Sequence, residues 1–235
     1  MLSPNPPPKV ISFDCYGTLV RWREVLLAEI TRILSARGRN PGEASAVLDS
    51  FSRLSLGLTQ EKPHRLYKSI LRIGFRSALV EHRLQPVEDE VEALATSITA
   101  MGPHPEVPAA LRRLRERYKL AIFTNSDDDL IRHNVEKIGV PFDYVITAEQ
   151  ARAYKPSRQL FDYAYGRMGV TKDETVHVAM GMIHDMQACH ELGVRAIWIN
   201  RRGERGNPDW LPYEELPDLS RLPDLLLPLR GAGES

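Results

Sequence analysis

The chain has 235 residues, 43% hydrophobic and 26% charged, with lysine plus arginine and aspartate plus glutamate each numbering 31. That length suits one α/β domain with an insert or two small domains, and the charge balance excludes a globally basic surface for nucleic acid or an anionic membrane. Two cysteines, Cys15 and Cys189, have neither metal-type spacing nor the number a disulfide framework needs, so a reduced, cytoplasmic protein is expected.

The first eight residues, Met-Leu-Ser-Pro-Asn-Pro-Pro-Pro, lack the apolar centre of a signal peptide and read as an unstructured leader. No apolar run reaches the roughly 18 residues of a membrane helix. Val10–Phe13 then reads as a buried strand, apolar and β-branched. It runs into Asp14, and Gly17 lets the backbone turn sharply. In open α/β sheets the carboxyl ends of the strands form the ligand crevice, so Asp14 is placed where chemistry is done.

From Trp22 to about Thr99 the pattern is helical, with Val25, Leu26, Ile30, Ile33 and Leu34 and then Leu66, Ile70, Leu71 and Ile73 at helical spacing. The reading is an all-helical insertion, left near Gly102-Pro103, that closes over the mouth of the sheet. Strands follow at 120–124, Tyr144–Thr147, 176–179 and Ala196–Ile199, alternating with helices at 107–117, Asp128–Ile138, 159–168 and 186–192. Gly139, Gly169 and Gly193 end the last three helices. The expected fold is α/β: a Rossmann-like parallel sheet flanked by helices, with an all-helical cap inserted after the first strand. Residues 1–20 and 100–235 form the core domain and 21–99 the cap.

Four positions around this sheet carry chemistry. An aspartate past a strand is often only a turn or capping residue, but Asp14 has company. Thr124 and Asn125 close the second strand with a hydroxyl and an amide that can bind an anion, although residues there also cap helices. Lys155 precedes Pro156, which can begin a helix at its first position and leaves the lysine at a loop tip aimed inward, where its charge would stabilise that of Asp14. Asp185 follows the fourth strand, with Met180 five positions earlier. A thioether is a soft ligand, unsuited to a hard cation such as magnesium.

The stretch Asp14-Cys-Tyr16-Gly17-Thr18-Leu19 resembles the first motif of the haloacid dehalogenase superfamily, whose phosphatases read D-x-D-x-T. Thr124 corresponds to its second motif, Lys155-Pro156 to its third, and Met180 to Asp185 spans its fourth, where phosphatases carry two acids. Tyr16 and Met180 both replace acids. A phosphomonoester benefits from a metal and a general acid, whereas a halide leaves unprotonated and a monoanionic carboxylate can be held without metal. Independently of that chemistry, the chain resembles the L-2-haloacid dehalogenase branch over roughly residues 9–20 and 103–200, and its tail Ala196-Ile-Trp198-Ile-Asn200-Arg201 looks like that branch too. That resemblance implies no cofactor, a small 2-substituted carboxylate as substrate and a homodimer.

The resemblance also implies roles. Asp14 displaces halide to form an ester that water hydrolyses. Thr18 supports Asp14, Tyr16 lines the pocket, and Thr124 with Asn125 holds the carboxylate. Lys155 and Asp185 steer nucleophile and water. A cap arginine near the leaving halide is assigned to Arg53, with Arg37 and Arg39 as rivals. Dehalogenases commonly carry Ser and Asn where this chain has Met180 and Met182, and Tyr where it has Phe161. The methionines either dry the site or simply pack, and His184 could take over part of the water activation. Three other readings stay open: a hydrolase of the azetidine-2-carboxylate type, whose motifs share a His-Asp pair like His184-Asp185, a magnesium phosphatase, and a ligand-binding relative without catalysis.

Overall fold

The computed structural model describes residues 7–227. Most of the proline-rich leader lies outside them. Six parallel strands are ordered β3-β2-β1-β4-β5-β6. They are β1 (Val10–Phe13), β2 (Lys119–Thr124), β3 (Tyr144–Thr147), β4 (Thr175–Ala179), β5 (Ala196–Ile199) and β6 (Glu214–Leu216). Strands β1, β4 and β5 are buried along their whole length, as short apolar runs covered by helices on both faces should be. From β1 the chain steps outward through β2 to β3, then returns to β4 on the other side of β1. The order reverses between β1 and β4, and ligand crevices form at such switch points.

Between β1 and β2 come α1 (Trp22–Ala36), α2 (Ala44–Gln60), α3 (Tyr67–Glu81), α4 (Glu88–Ser97) and α5 (Val107–Arg115). Leu26, Ile30, Ile33 and Leu34 of α1, Val47, Leu48 and Phe51 of α2, and Ile70, Leu71 and Phe75 of α3 are buried against one another at helical spacing. Ile73, read as part of that stripe, sits on the exposed side of α3. The two connections to the helical segment run side by side: Val20 bridges to Pro103, and Arg21 N–H donates to Gly102 O at 3.0 Å. Among the described residues no helix is long and apolar enough to cross a membrane.

The remaining helices are α6 (Asp128–Ile138), α7 (Ala148–Ala151), α8 (Arg158–Met168), α9 (Ala188–Leu192) and α10 (Leu222–Leu226). Gly139, Gly169 and Gly193 take the left-handed conformation at three helix ends, as expected. Three details differ from the sequence reading. Strand β6 is absent from it, because three residues reading Glu-Glu-Leu at a sheet edge carry no apolar signal. Pro156 is not the first residue of a helix: α8 begins at Arg158, and the Ser157 hydroxyl accepts from Gln159 N–H at 3.3 Å. Residues 186–192 are not one helix, since a wider π-type turn, Met182–Gln187, precedes α9.

Candidate active site

Asp14 continues the sheet one residue past β1, its N–H donating to Val178 O at 3.1 Å. Gly17 then adopts φ +86°, and a Cβ there would collide with the Met180 sulfur. This elbow turns Thr18 back onto the aspartate. Thr18 Oγ1 donates to Asp14 Oδ2 at 2.7 Å and accepts from Met180 N–H at 2.9 Å, which orients the hydroxyl. Lys155 Nζ donates to Asp14 Oδ1 at 2.9 Å and to Asp185 Oδ1 at 2.6 Å. Four residues the sequence singles out, Asp14, Thr18, Lys155 and Asp185, thus meet at one cluster.

The cluster is dry. Lys155 and Asp185 are each 1% exposed, and the Asp14 side chain is 12% exposed. Burial works against the Lys155 charge, but the carboxylates of Asp14 and Asp185 outweigh it and lift the lysine above its ordinary range. Burial likewise opposes the charge of Asp185, and there Lys155 and a hydrogen bond from His177 prevail, holding the carboxyl well below the usual carboxylate range. The lysine is a cation and Asp185 an anion at neutral pH.

Above this cluster lies a cavity of about 520 Å³ between the carboxyl ends of the strands and the helices α1 to α3. That is within the size range of small-molecule sites. Asp14, Tyr16, Asn125, Lys155, Met180, His184 and Asp185 line it from below, and Trp22, Arg23, Asp49, Phe51, Ser52 and Tyr67 from above. The Tyr16 ring stacks on Tyr67 with centroids 6.1 Å apart. Its hydroxyl points away, to Ser126 Oγ at 2.9 Å and Asn134 Oδ1 at 3.2 Å. His184 is half-buried on the wall, and burial lowers its pKa, so the imidazole is neutral near pH 7.

Other expectations need correction. Arg53 does not reach the cavity. It lies on the outer side of α2, its guanidinium on Glu81 at 2.6 Å, because α2 turns Phe51, Ser52 and Ser55 inward, leaves Asp49 at the open rim of the cavity, and turns position 53 outward. Both rivals are also spent elsewhere, Arg37 on Glu90 and Arg39 on Glu43. The arginine that α1 brings to the cavity is Arg23, which donates to Asp49 Oδ1 at 3.2 Å and Ser45 Oγ at 2.8 Å. The Asn125 amide is engaged with the main chain of Lys155, accepting from its N–H at 2.7 Å and donating to its carbonyl at 3.0 Å. Asn125 thus sets the lysine in place. Thr124 is fully buried, does not line the cavity, and its hydroxyl has no hydrogen-bond partner among the described residues.

Two functional-looking contacts escape a sequence reading. His177 in β4 donates from Nε2 toward Asp185 Oδ1 at 2.9 Å, and a histidine inside an otherwise apolar strand was the available signal. Arg201 after β5 donates to Thr18 O at 2.8 Å and to Glu106 at 2.7 Å, tying down the elbow.

The model of the haloacid dehalogenase-like hydrolase family matches residues 8–193. The chain belongs to this family of hydrolases. (S)-2-haloacid dehalogenase H-109 of Pseudomonas putida is 25% identical over 94% of this chain and 99% of its own. Haloacetate dehalogenase H-2 of a Moraxella strain is 29% identical over 62% of this chain and 61% of its own. The structure of L-2-haloacid dehalogenase from Xanthobacter autotrophicus with chloropropionic acid covalently bound superposes with a TM-score of 0.81, at 20% identity, covering 96% of this chain and all of the other.

Proposed function

We propose that this protein hydrolyses small 2-substituted carboxylic acids, 2-haloacids first among them, through an ester formed on Asp14. The observation that carries this reading is the Lys155 ammonium lying between Asp14 and Asp185, 2.9 and 2.6 Å from them. Asp14 sits at the cavity floor, and Thr18 and Lys155 fix its two oxygens at an angle from which one can attack a carbon above. An Asp14 oxygen bonds to C2 of the substrate, the C2–halogen pair leaves as halide, and no proton is required. Water then adds to the Asp14 carboxyl carbon, and the 2-hydroxy acid departs with an oxygen that came from Asp14. The water's protons go to a base at the wall, for which neutral His184 and the Asp185 carboxylate are the residues in place. Lys155 holds Asp14 during attack and stabilises the carboxyl oxygen during hydrolysis. Covalently bound chloropropionic acid in the Xanthobacter enzyme supports the same bond being made here.

The donor set does not suit magnesium. Beside Asp14 the side chains are the phenol of Tyr16, committed to Ser126 and Asn134, the thioether of Met180, a lysine already on the carboxylate, and Asp185, whose Oδ1 is taken by Lys155 and His177. No step is routed through a metal. In this reading helices 21–99 act as a cap that keeps water from the ester until halide has gone. Residence in the cytoplasm and a homodimer belong to the same proposal, the latter read by light scattering.

Halide release from L-2-chloropropionate tests the reaction. A single turnover in ¹⁸O water is expected to label Asp14 first, and label only in the product would refute the ester. One observation favours a second leaving group: the upper wall presents Asp49 and Ser52, and Arg23 is tied to Asp49 and Ser45 rather than free for an anion. Such a wall accommodates a departing amine better than a halide, as in ring opening of azetidine-2-carboxylate. There the amine needs a proton, so the rate would depend on a group titrating near neutrality.

A further inference from the structure

Among the described residues His177 is the one imidazole sealed inside the sheet, fully buried in β4 between Phe123, whose ring stacks at 5.6 Å, and Phe161, edge-on at 5.8 Å. A polar ring among phenyl groups must satisfy both nitrogens or forfeit their hydration. The sheet register does so. Residues 12 and 14 of adjoining strand and elbow point to the same face, and β1 pairs Ser12 directly with His177. Ser12 Oγ lies 2.9 Å from His177 Nδ1, and His177 Nε2 lies 2.9 Å from Asp185 Oδ1. An ionised carboxylate only accepts, so Nε2 carries a proton and donates to Asp185, while Nδ1 pairs with Ser12 Oγ, which also lies 3.4 Å from Val176 O. Polar contacts therefore run unbroken from Ser12 through His177, Asp185 and Lys155 to Asp14.

We infer that His177 is a positioning residue for the reaction: backed by Ser12, it clamps the Asp185 carboxylate so that Asp185 in turn holds Lys155 on Asp14. The inference rests on the Asp14-ester reading for its kinetic arm only. The ring donates to the same oxygen that Lys155 uses, so the carboxylate has two donors on Oδ1 and cannot swing away without leaving both. Without the ring, Asp185 is a buried carboxylate held by the lysine alone. It then either draws Lys155 off Asp14 or takes up a proton and releases it, and both misplace the nucleophile.

The experiment compares wild type with His177→Leu, which keeps the bulk but loses the donor, and His177→Gln, whose amide N–H can reach where Nε2 stood. His177→Leu is expected to lower kcat for halide release about tenfold or more, the worth of one charge-assisted hydrogen bond, with KM within about twofold. His177→Gln should regain most of it. Equal losses in the two variants, or a kcat for His177→Leu near wild type, would overturn the inference. The second readout needs no turnover: the ¹³C shift of the Asp185 carboxyl against pH. Facing that group are Lys155, His177, His184 and Cys189, with Asp14 and Cys15 beyond the lysine. Its titration should move up by more than one unit in His177→Leu and return in His177→Gln. An unmoved titration refutes the clamp. If wild type releases no halide while the titration shifts, the substrate reading fails and the clamp stands. Should His177→Leu not fold, Ser12→Ala leaves the ring packing intact and is expected to move the His177 Nδ1 ¹⁵N shift, its partner gone, while Nε2–H stays on Asp185. Unchanged ¹⁵N shifts would count against the inference.

Discussion

Replacing Lys155 by methionine is the sharpest test of the electrostatics. Methionine matches the lysine stem in length and flexibility, so packing changes little and the charge alone is removed. Each carboxylate contact, at 2.9 and 2.6 Å, is a gross attraction of about 6 kcal/mol at an effective dielectric near 20, most of it offset by the cost of burying the ions. What remains after the change is two carboxylates facing one another in a dry site. Removing one partner of a buried pair costs about 3–5 kcal/mol. At roughly 2–4 °C per kcal/mol for a chain of this size, Tm should fall by about 6–20 °C at pH 7.5.

The sign with pH follows from Asp185. Its pKa is depressed in the folded wild type, so it contributes stability above the ordinary carboxylate pKa that is lost as pH falls through the folded value. In Lys155→Met the stranded carboxylate is no longer depressed and can take a proton. The deficit relative to wild type should therefore be largest at neutral pH and shrink toward pH 4.5. Paired thermal melts at the two pH values read it directly. A deficit below about 1 kcal/mol at pH 7.5, or one of equal size at both, would refute the account; adding Asp185→Asn to Lys155→Met should recover part of the loss at pH 7.5.

Arg53→Ala should leave halide release unchanged and stability within about 0.5 kcal/mol, since Arg53 meets only the exposed Glu81 outside the cavity; Arg23→Met, on the wall, should change KM in the same assay. Asp127→Ala should cost about 1–3 kcal/mol and speed amide exchange at residues 67 and 68, because the buried Asp127 carboxylate accepts both N–H groups that open α3, at 2.7 and 2.9 Å. Burial lowers the pKa of His184 and of His104, so the unfolded chain binds protons first as pH drops. Stability carried by the neutral rings is full above about pH 6.5 and should decline below it, seen as a falling urea midpoint between pH 7.5 and 5.5. A flat midpoint would show those rings to be solvated.

Elements whose physics is local could be read from the chain. Val10–Phe13, Tyr144–Thr147 and Ala196–Ile199 are bounded by turn formers and are apolar on both faces, so composition over four residues suffices. The same holds for Asp14, next to a strand end, and Lys155, next to a proline, whereas Thr18 and Asp185 stand five and six residues past their strands and were singled out by the motif resemblance. Arg53 shows the limit: within α2 it lies only four positions from Asp49, and which of the two reaches the cavity depends on how the helix is rotated against α1 and α3. Asn125 shows another. Its amide could serve substrate or main chain, and the answer lies 30 residues away in the Lys155 peptide.

Alone, then, the order of residues determined a parallel sheet, a helical insertion and a carboxylate at the head of the first strand, because strand propensity, helical spacing and glycine turns act over a few neighbours. Only the folded molecule decided which groups touch that carboxylate, that the Arg53 guanidinium faces away, and that His177 stands behind Asp185. Those contacts join residues from 4 to 165 positions apart, and their geometry is set by sheet register and helix rotation, which no short stretch of chain encodes.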